Sequence, residues 1–136
     1  MKLSNSSQYA IRILTYITMQ NEPLISATTL SEKLQIPYKF LTKIMTALVK
    51  ADLVESIRGR EGGFRLKKES SEIKVDDILN IFNDTVKKEE CLLGIGQCDT
   101  HCRCALHDQW MKPKLLLQKM FRESSLETIS KKATKV

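Results

Sequence analysis

The chain has 136 residues and a formal net charge of +6, and its 42% hydrophobic and 28% charged residues are ordinary for a globular protein. These fractions exclude wholesale disorder, and the length suits one domain or a small domain with an added oligomerisation element. No apolar run approaches the roughly 18 residues of a membrane span, and Arg12 interrupts the stretch that a signal peptide would need. We therefore expect a cytoplasmic protein without membrane contact, whose cysteines stay reduced and bind metal or react as thiols.

The N-terminal part of the chain has the pattern of short helices in close succession. Residues 6–19 repeat apolar side chains at the i, i+3, i+4 and i+7 positions of an amphipathic helix. Ser26 can cap a second helix, because its hydroxyl can accept from the free amides of the first turn. Pro37 suits the first turn of a third helix, where its missing N–H costs nothing. Only Gln35 and Ile36 separate these two helices, which is the spacing of a helix-turn-helix.

The third predicted helix, residues 37–50, separates an apolar face from a polar one. At 100° per residue its apolar side chains share one arc of about 100°, and lysines and threonines occupy the opposite arc. Residues 37–68 hold eight basic and three acidic side chains, so much of the positive charge is concentrated there. This face is what a helix needs to meet phosphates and base edges in a DNA major groove, although a solvated basic face has the same composition.

A glycine-rich hairpin is predicted directly after this helix. Residues 53–57 and 64–68 have the pattern of strands, and the turn at residues 58–63 contains three glycines and two arginines. Glycine permits the left-handed geometry of a tight turn, and the arginines give the tip positive charge. A cationic hairpin in this position is typical of the wing of a winged helix-turn-helix. Its basic residues are Arg58, Arg60, Arg65, Lys67 and Lys68.

In the second half of the chain, apolar periodicity predicts a short helix around Val75 to Phe82 and a long helix over residues 105–121, with a cysteine-rich loop between them. Pro113 should kink the long helix. A helix this apolar is better explained by pairing with a second copy than by folding back alone. Ser125 can cap a last turn through Leu126 and Ile129.

These patterns predict a mainly α protein with a small β-hairpin wing. Its expected parts are a winged helix-turn-helix DNA-binding domain (residues 1–85), a cysteine-rich loop (86–104), a dimerisation helix (105–123), and a C-terminal turn with a frayed tail (124–136).

The spacing of the cysteines is compatible with more than one inorganic centre. The soft ligands suffice for zinc or an iron–sulfur cluster, but their intervals fit neither a C-x2-C zinc knuckle nor the ferredoxin run. One of the two cysteines at 102 and 104 should point away from any shared metal, since they are so close. For the histidine, a bond to helix neighbours and a ligand role are both open. The candidates are Cys91, Cys98, Cys102, Cys104 and His107.

Several longer strings are more specific than any single glycine or cysteine. They are MKLS at 1–4, YAIR at 9–12, IPYKFL at 36–41, SIRGREGGF at 56–64, CLLGIGQC at 91–98, CALHDQW at 104–110 and SL at 125–126. Through them the chain resembles, over nearly its whole length, the Rrf2 family of bacterial winged-helix transcription regulators.

The resemblance implies a homodimer, joined by the long helix, that binds an imperfect palindrome in double-stranded DNA and is not an enzyme. Residues 38–43 are then expected to enter the major groove, and Arg58 of the wing to reach the minor groove. The predicted DNA-contacting residues are Ser26, Thr28, Tyr38, Lys39, Thr42, Lys43, Arg58 and Arg60.

In the cluster-binding, IscR-like and NsrR-like members of this family, three cysteines of the loop hold an iron–sulfur cluster. By position these are Cys91, Cys98 and Cys104, and His107 matches the histidine ligand of IscR-like members, with Cys102 as the substitute. The cluster is expected to be [2Fe–2S] or [4Fe–4S]. Two features depart from the family. Six residues separate the first two cysteines where five are usual, and Gln8 stands where some relatives have an acidic ligand.

The alternative is a regulator of the same fold without a cluster. It would use the cysteines as a redox sensor or zinc site, or respond to a partner protein. A nucleic-acid enzyme is disfavoured, because the sequence has no H-x-E with P-C-x-x-C, no H-E-x-x-H and no P-loop.

Overall fold

The computed structural model describes residues 2–87, 89–98, 101 and 103–136. Within them the chain forms six helices and one antiparallel two-stranded hairpin. The predicted mainly α architecture with a small wing is confirmed. In chain order the elements are α1 (Asn5–Met19), α2 (Ala27–Leu34), α3 (Tyr38–Lys50), β1 (Val54–Ile57), β2 (Gly63–Leu66), α4 (Val75–Ile81), α5 (His107–Glu123) and α6 (Leu126–Lys132).

Serine caps fix where three of the helices begin. Ser4, Ser26 and Ser125 each accept a hydrogen bond from the backbone N–H three residues later, at the starts of α1, α2 and α6. The predicted caps at Ser26 and Ser125 are therefore present. Pro37 lies just before α3 rather than inside its first turn, so α3 begins one residue later than predicted.

The two faces of α3 are separated as its sequence predicts. The apolar side chains are buried in the core that α1 and α2 share with the wing. They are Leu41, Ile44, Met45 and Leu48. The opposite side of the helix is exposed to solvent at Lys39, Lys43, Thr46 and Lys50. Burial of the apolar side holds α3 in place and directs its cationic side outward.

The chain returns to this same core after α5. Leu126, the first residue of α6, has no exposed surface and belongs to the main core cluster, and α6 packs against α1. The backbone N–H of Leu126 donates to the carbonyl of Ile73 (2.9 Å). Part of the segment expected to be a turn and a frayed tail is thus a packed helix, and Val136 also contacts the core.

Helix α5 begins two residues later than predicted and continues through Pro113 to Glu123. It packs on α4 through Phe121, which joins a small apolar cluster with Val75 and Leu79. Other large apolar side chains of α5 remain exposed: Leu115, Leu116 and Met120. Among the helices described, none is long and apolar enough to cross a membrane.

The wing is held against the segment that precedes α2. In the hairpin, Val54 pairs with Leu66 and Ile57 with Gly63. Phe64 also exchanges two backbone hydrogen bonds with Ile25, at 2.8 and 3.1 Å. A side chain at position 63 would lie 2.7 Å from the Ile25 carbonyl oxygen, so this close approach requires glycine. The hairpin therefore has a fixed position beside the helix-turn-helix.

Replacing Gly63 with alanine should lower the free energy of unfolding by roughly 1–3 kcal/mol, because the added Cβ forces the wing away from the Ile25 backbone. Urea denaturation followed by circular dichroism measures this change. The matched control is Ser56→Ala, at an exposed position of β1, which should stay within about 0.5 kcal/mol of the parent. Equal stability of the two variants would contradict the close approach.

Candidate functional site

The outward side of α3 presents aromatic, cationic and hydroxyl groups together. Tyr38 is 55% exposed, Lys39 and Lys43 are exposed, and Thr42 is half-buried. The Thr42 hydroxyl donates to the Lys39 carbonyl (2.9 Å), which leaves its oxygen lone pairs available as acceptors. These four predicted DNA-contacting residues lie in the first two turns of one helix, on the side away from the core.

The two predicted contacts on α2 have different surroundings. The Ser26 hydroxyl is half-buried and is used in the cap, where it accepts from the Thr29 N–H (3.1 Å) and contacts the Thr29 hydroxyl (2.9 Å). Thr28 is exposed. The geometry therefore gives Ser26 a structural role at the start of α2 and leaves Thr28 as the open hydroxyl.

Charge in the wing is divided between its tip and its return strand. Arg65 is ion-paired with Glu55, and Lys67 with Asp52 (2.9 Å). The Lys67 ammonium lowers the pKa of Asp52, through a hydrogen bond and Coulomb attraction, and Asp52 raises the pKa of Lys67 in return. At the exposed tip are Arg58 and the similarly exposed Arg60.

Two glycines shape the turn between the strands, which contains Arg60 and begins after Arg58. The backbone φ of Gly59 is 122°, a value that residues other than glycine rarely adopt. The N–H of Gly62 donates to the Gly59 carbonyl (3.1 Å) and closes the turn. The cationic groups of the wing that stand at its tip are thus Arg58 and Arg60, while the return strand is partly neutralised by its own carboxylate partners.

An assembly on α1 that the sequence analysis did not identify supports the start of α3. The Arg12 guanidinium donates to the Leu34 carbonyl at the end of α2 (2.6 Å) and lies 5.7 Å from the centre of the Tyr9 ring. Tyr9 packs edge-on against Phe40 of α3, with 5.4 Å between the ring centres. Arg12 and Tyr9 of α1 together therefore link this helix to α2 and to α3. A charged residue inside an apolar helical stretch was the available signal.

In the cysteine loop, four of the predicted ligands lie in two contacting pairs. Cys104 lies beside Cys91 and lowers the pKa of the Cys91 thiol through a side-chain hydrogen bond. Separately, Sγ of Cys98 lies 3.5 Å from Nδ1 of His107. Cys102 lies outside the described residues. Within the described part of the chain, no three cysteine, histidine or carboxylate side chains converge on one point.

The chain around Cys91 favours a thiolate. The backbone N–H groups of Ile95 and Leu93 point at its sulfur and lower the pKa of the Cys91 thiol, with smaller contributions from Cys104 and Gly94. Burial opposes this by raising the pKa. Amides wrapped around a sulfur are the surroundings that a metal-binding thiolate needs. In chemical type, the donor set of three thiols and an imidazole therefore fits an iron–sulfur cluster.

Two side chains of α5, also absent from the sequence predictions, hold the segment that leads into the loop. Lys114 is 1% exposed, and its Nζ donates to the Glu90 carbonyl (3.0 Å). One turn later, Gln118 donates to the Val86 carbonyl (2.8 Å). These two bonds attach both ends of residues 86–90 to one face of the helix. A lysine in an amphipathic pattern gives no sign of such burial.

Comparison with known proteins identifies the family. Residues 3–132 match the family model described as Rrf2, an iron-dependent transcriptional regulator. The chain belongs to the Rrf2 family. It is thus a member of a family of DNA-binding transcriptional regulators rather than of enzymes, as the sequence resemblance indicated.

Individual relatives agree with this assignment. An HTH-type transcriptional regulator of Aquifex aeolicus is 31% identical over 131 residues, covering 95% of this chain and 91% of the relative. NsrR of Shouchella clausii is 35% identical over 67% of this chain and 62% of its own length. IscR of Vibrio atlanticus is 30% identical over 81% of this chain and 64% of its own length.

Solved structures share the fold. CymR, described as the global cysteine regulator of B. subtilis, superposes with a TM-score of 0.82 at 21% identity, covering 98% of both chains. IscR of T. potens superposes with a TM-score of 0.74 at 22% identity, covering 97% of this chain and 88% of its own.

Proposed function

We propose that this chain is a cytoplasmic transcriptional regulator that binds a palindromic DNA operator as a homodimer, with its DNA affinity set by an iron–sulfur cluster in the cysteine loop. The observation that carries the DNA-binding part is the exposed side of α3, where Tyr38, Lys39 and Lys43 point away from the core. In this proposal α3 lies in the major groove and the wing tip, with Arg58, follows the neighbouring minor groove.

The exposed apolar side of α5 supports the homodimer. Leu115, Leu116 and Met120 are each about half or more exposed, at 53%, 67% and 49%. Leu116 and Met120 are one turn apart and form a stripe. A stripe of this kind on a long helix fits the same stripe on a second copy, related by a two-fold axis. Two-fold symmetry then places two copies of α3 on half-sites about one duplex turn apart, roughly 34 Å.

The ligands proposed for the cluster are Cys91, Cys98, Cys104 and His107, with Cys102 as the substitute for His107. When bound, such a cluster supplies iron–thiolate bonds whose loss to oxidants, nitric oxide or iron shortage would make DNA binding depend on those conditions. The chain contributes the backbone amides that stabilise the Cys91 thiolate. It also contributes a loop whose first residues are bonded to Lys114 of α5. The name of the matching family model, an iron-dependent regulator, and the NsrR and IscR relatives support this choice.

A route from the loop to DNA follows from the attachment of the loop to α5. Lys114 and Gln118 bond the backbone that leads into Cys91, and Phe121 packs the same helix onto α4. A change in loop conformation therefore acts on the helix that sets the separation of the two recognition helices. Because half-site spacing is fixed by the duplex, a small rotation of each subunit suffices to prevent simultaneous binding.

For DNA binding, Lys43→Ala and Arg58→Ala should each weaken affinity for duplex DNA selected with the parent protein. The logarithm of the binding constant falls linearly with the logarithm of the salt concentration, and each lost phosphate contact should make this slope less negative by about 0.9. Titration by fluorescence anisotropy across a salt series measures this slope. Arg58→Ala should also relax the preference for A/T pairs beneath the wing.

Lys119→Ala is the matched control for these variants. Lys119 is an exposed lysine of α5, and its removal should leave the salt slope unchanged. A Lys43 variant with the parental slope would contradict the placement of α3 in the groove.

For the dimer, Leu116→Glu should produce a folded monomer, because a carboxylate at the centre of the apolar stripe repels its counterpart across the two-fold axis. Sedimentation velocity gives the mass and circular dichroism the helix content. Thr28→Glu introduces the same charge at an exposed position of α2, and it should remain dimeric. If Leu116→Glu is also dimeric, the interface lies elsewhere.

For the cluster, protein purified without air should be brown, with visible absorption, and should contain iron and acid-labile sulfide. Cys91→Ser, Cys98→Ser and Cys104→Ser should be colourless, whereas Cys102→Ser should keep the colour. Loaded and cluster-free protein should then differ in affinity for one operator at fixed salt by about 5- to 150-fold, the usual range of coupling between sites.

Other outcomes of this preparation are equally informative. Colourless protein with stoichiometric zinc would favour the regulator of the same fold that uses its thiols without a cluster. Loaded and cluster-free forms of equal affinity would contradict the switch but leave DNA binding intact.

A further inference from the structure

The Cys98 sulfur contacts two other potential metal ligands on α5. Its Sγ lies 3.5 Å from Nδ1 of His107 and 3.9 Å from Sδ of Met111. His107 and Met111 are one helical turn apart on α5, so both side chains reach the same sulfur. His107 is 7% exposed, and Cys98 and Met111 are half-buried. An imidazole and a thioether therefore both contact one half-buried thiol sulfur.

The separations between these atoms suit a small ion held between them. A closed-shell (d10) ion takes sulfur at about 2.3 Å and imidazole nitrogen at about 2.0 Å. With three or four ligands around it, such an ion keeps two sulfurs roughly 3.8–4.0 Å apart and a sulfur and a nitrogen roughly 3.5–3.7 Å apart. The two separations in the structure, 3.9 and 3.5 Å, fall within these ranges. Little movement of the side chains is needed to admit an ion.

The thioether decides which ion the site prefers. Thiolate and thioether ligands select Cu(I), whereas oxygen ligands select Mg²⁺, Ca²⁺ and Mn²⁺. Zinc sites are built from thiolate, imidazole and carboxylate ligands, so Met111 adds little for zinc. We propose that Cys98, His107 and Met111 form a binding site for a single cuprous ion. On binding, the Cys98 thiol releases its proton to water and copper stays Cu(I), so no electron is transferred.

The proposed copper site differs from the proposed cluster by one ligand, Met111. Cys98 and His107 belong to both ligand sets, so one protomer cannot hold the cluster and the cuprous ion at once. Met111 belongs only to the copper site. A change at Met111 therefore tests the copper proposal without testing the cluster, and neither DNA nor iron is needed in the experiment.

The other cysteines must be replaced before copper is titrated, because any thiol of the loop can itself bind Cu(I). The parent for the titration is therefore the full chain with Cys91→Ser, Cys102→Ser and Cys104→Ser, in which Cys98 is the only cysteine left. Its far-ultraviolet circular dichroism is compared with that of the wild type to establish that it is folded.

Cu(I) is delivered without air from a chromophoric chelator, and the copper lost by the chelator is measured. The parent should take up one Cu(I) per protomer. Met111→Leu, which keeps the size and apolar character of the side chain, should weaken binding by more than about tenfold, the effect expected even for an outer-shell partner. The matched control is Met19→Leu, at an exposed methionine of α1, which should bind like the parent.

A measurement on the wild-type chain covers the case in which the parent variant does not fold. With methionine replaced by selenomethionine and two equivalents of Cu(I) added, selenium-edge X-ray absorption should show a copper neighbour. That neighbour should vanish in Met111→Leu and persist in Met19→Leu. The proposal is overturned if selenium has no copper neighbour, if the neighbour survives in Met111→Leu, or if Met111→Leu and its folded parent bind Cu(I) equally.

Discussion

Two backbone hydrogen bonds close the part of the chain that contains the cysteine loop, and the rest of the arrangement depends on them. The N–H of Val75 donates to the Ser124 carbonyl, and the N–H of Leu126 donates to the Ile73 carbonyl, both at 2.9 Å. The start of α4 and the end of α5 are therefore held side by side. Leu126 is fully buried in the core that α1, α2 and α3 share with the wing. The segment of residues 75–124 is therefore fixed at both ends. In the proposed switch, a displacement inside this segment would therefore act on the packing of α4 against α5.

Buried charge strengthens this constraint. Removing the Lys114 ammonium from water is costly unless polar groups replace the lost hydration. The Glu90 carbonyl is one such group, so burial of Lys114 favours a position of the backbone beside Cys91 that is close to α5. Gln118 applies the same restriction at Val86. The loop and α5 are therefore joined at two points, as the proposed switch through the proposed dimer helix requires.

The features that the sequence predicted well depend on local interactions. The faces of α3, the serine caps and the wing follow from helical periodicity, hydroxyl chemistry and glycine content, each contained within a few residues. The features missed depend on contacts between distant residues: Arg12 with Leu34, Lys114 with Glu90, and Leu126 with Ile73. For the same reason, spacing alone did not reveal that Cys91 lies beside Cys104 and Cys98 beside His107. Apolar periodicity also placed Leu116 and Met120 in one helical pattern with Phe121, but only Phe121 is buried within the chain.

The pairing of the ligands gives the two ends of the loop different chemistry. At one end, backbone amides surround Cys91 and stabilise negative charge on its sulfur, which suits a thiolate bonded to iron. At the other end, Cys98 faces an imidazole and a thioether, a softer and less polar set that suits a monovalent ion. In the proposed cluster both ends act on one centre, whereas the proposed copper site occupies one end and leaves Cys91 with Cys104. Copper would therefore compete with the proposed cluster by binding Cys98 and His107. Met111 is the ligand that copper would gain and the cluster would not.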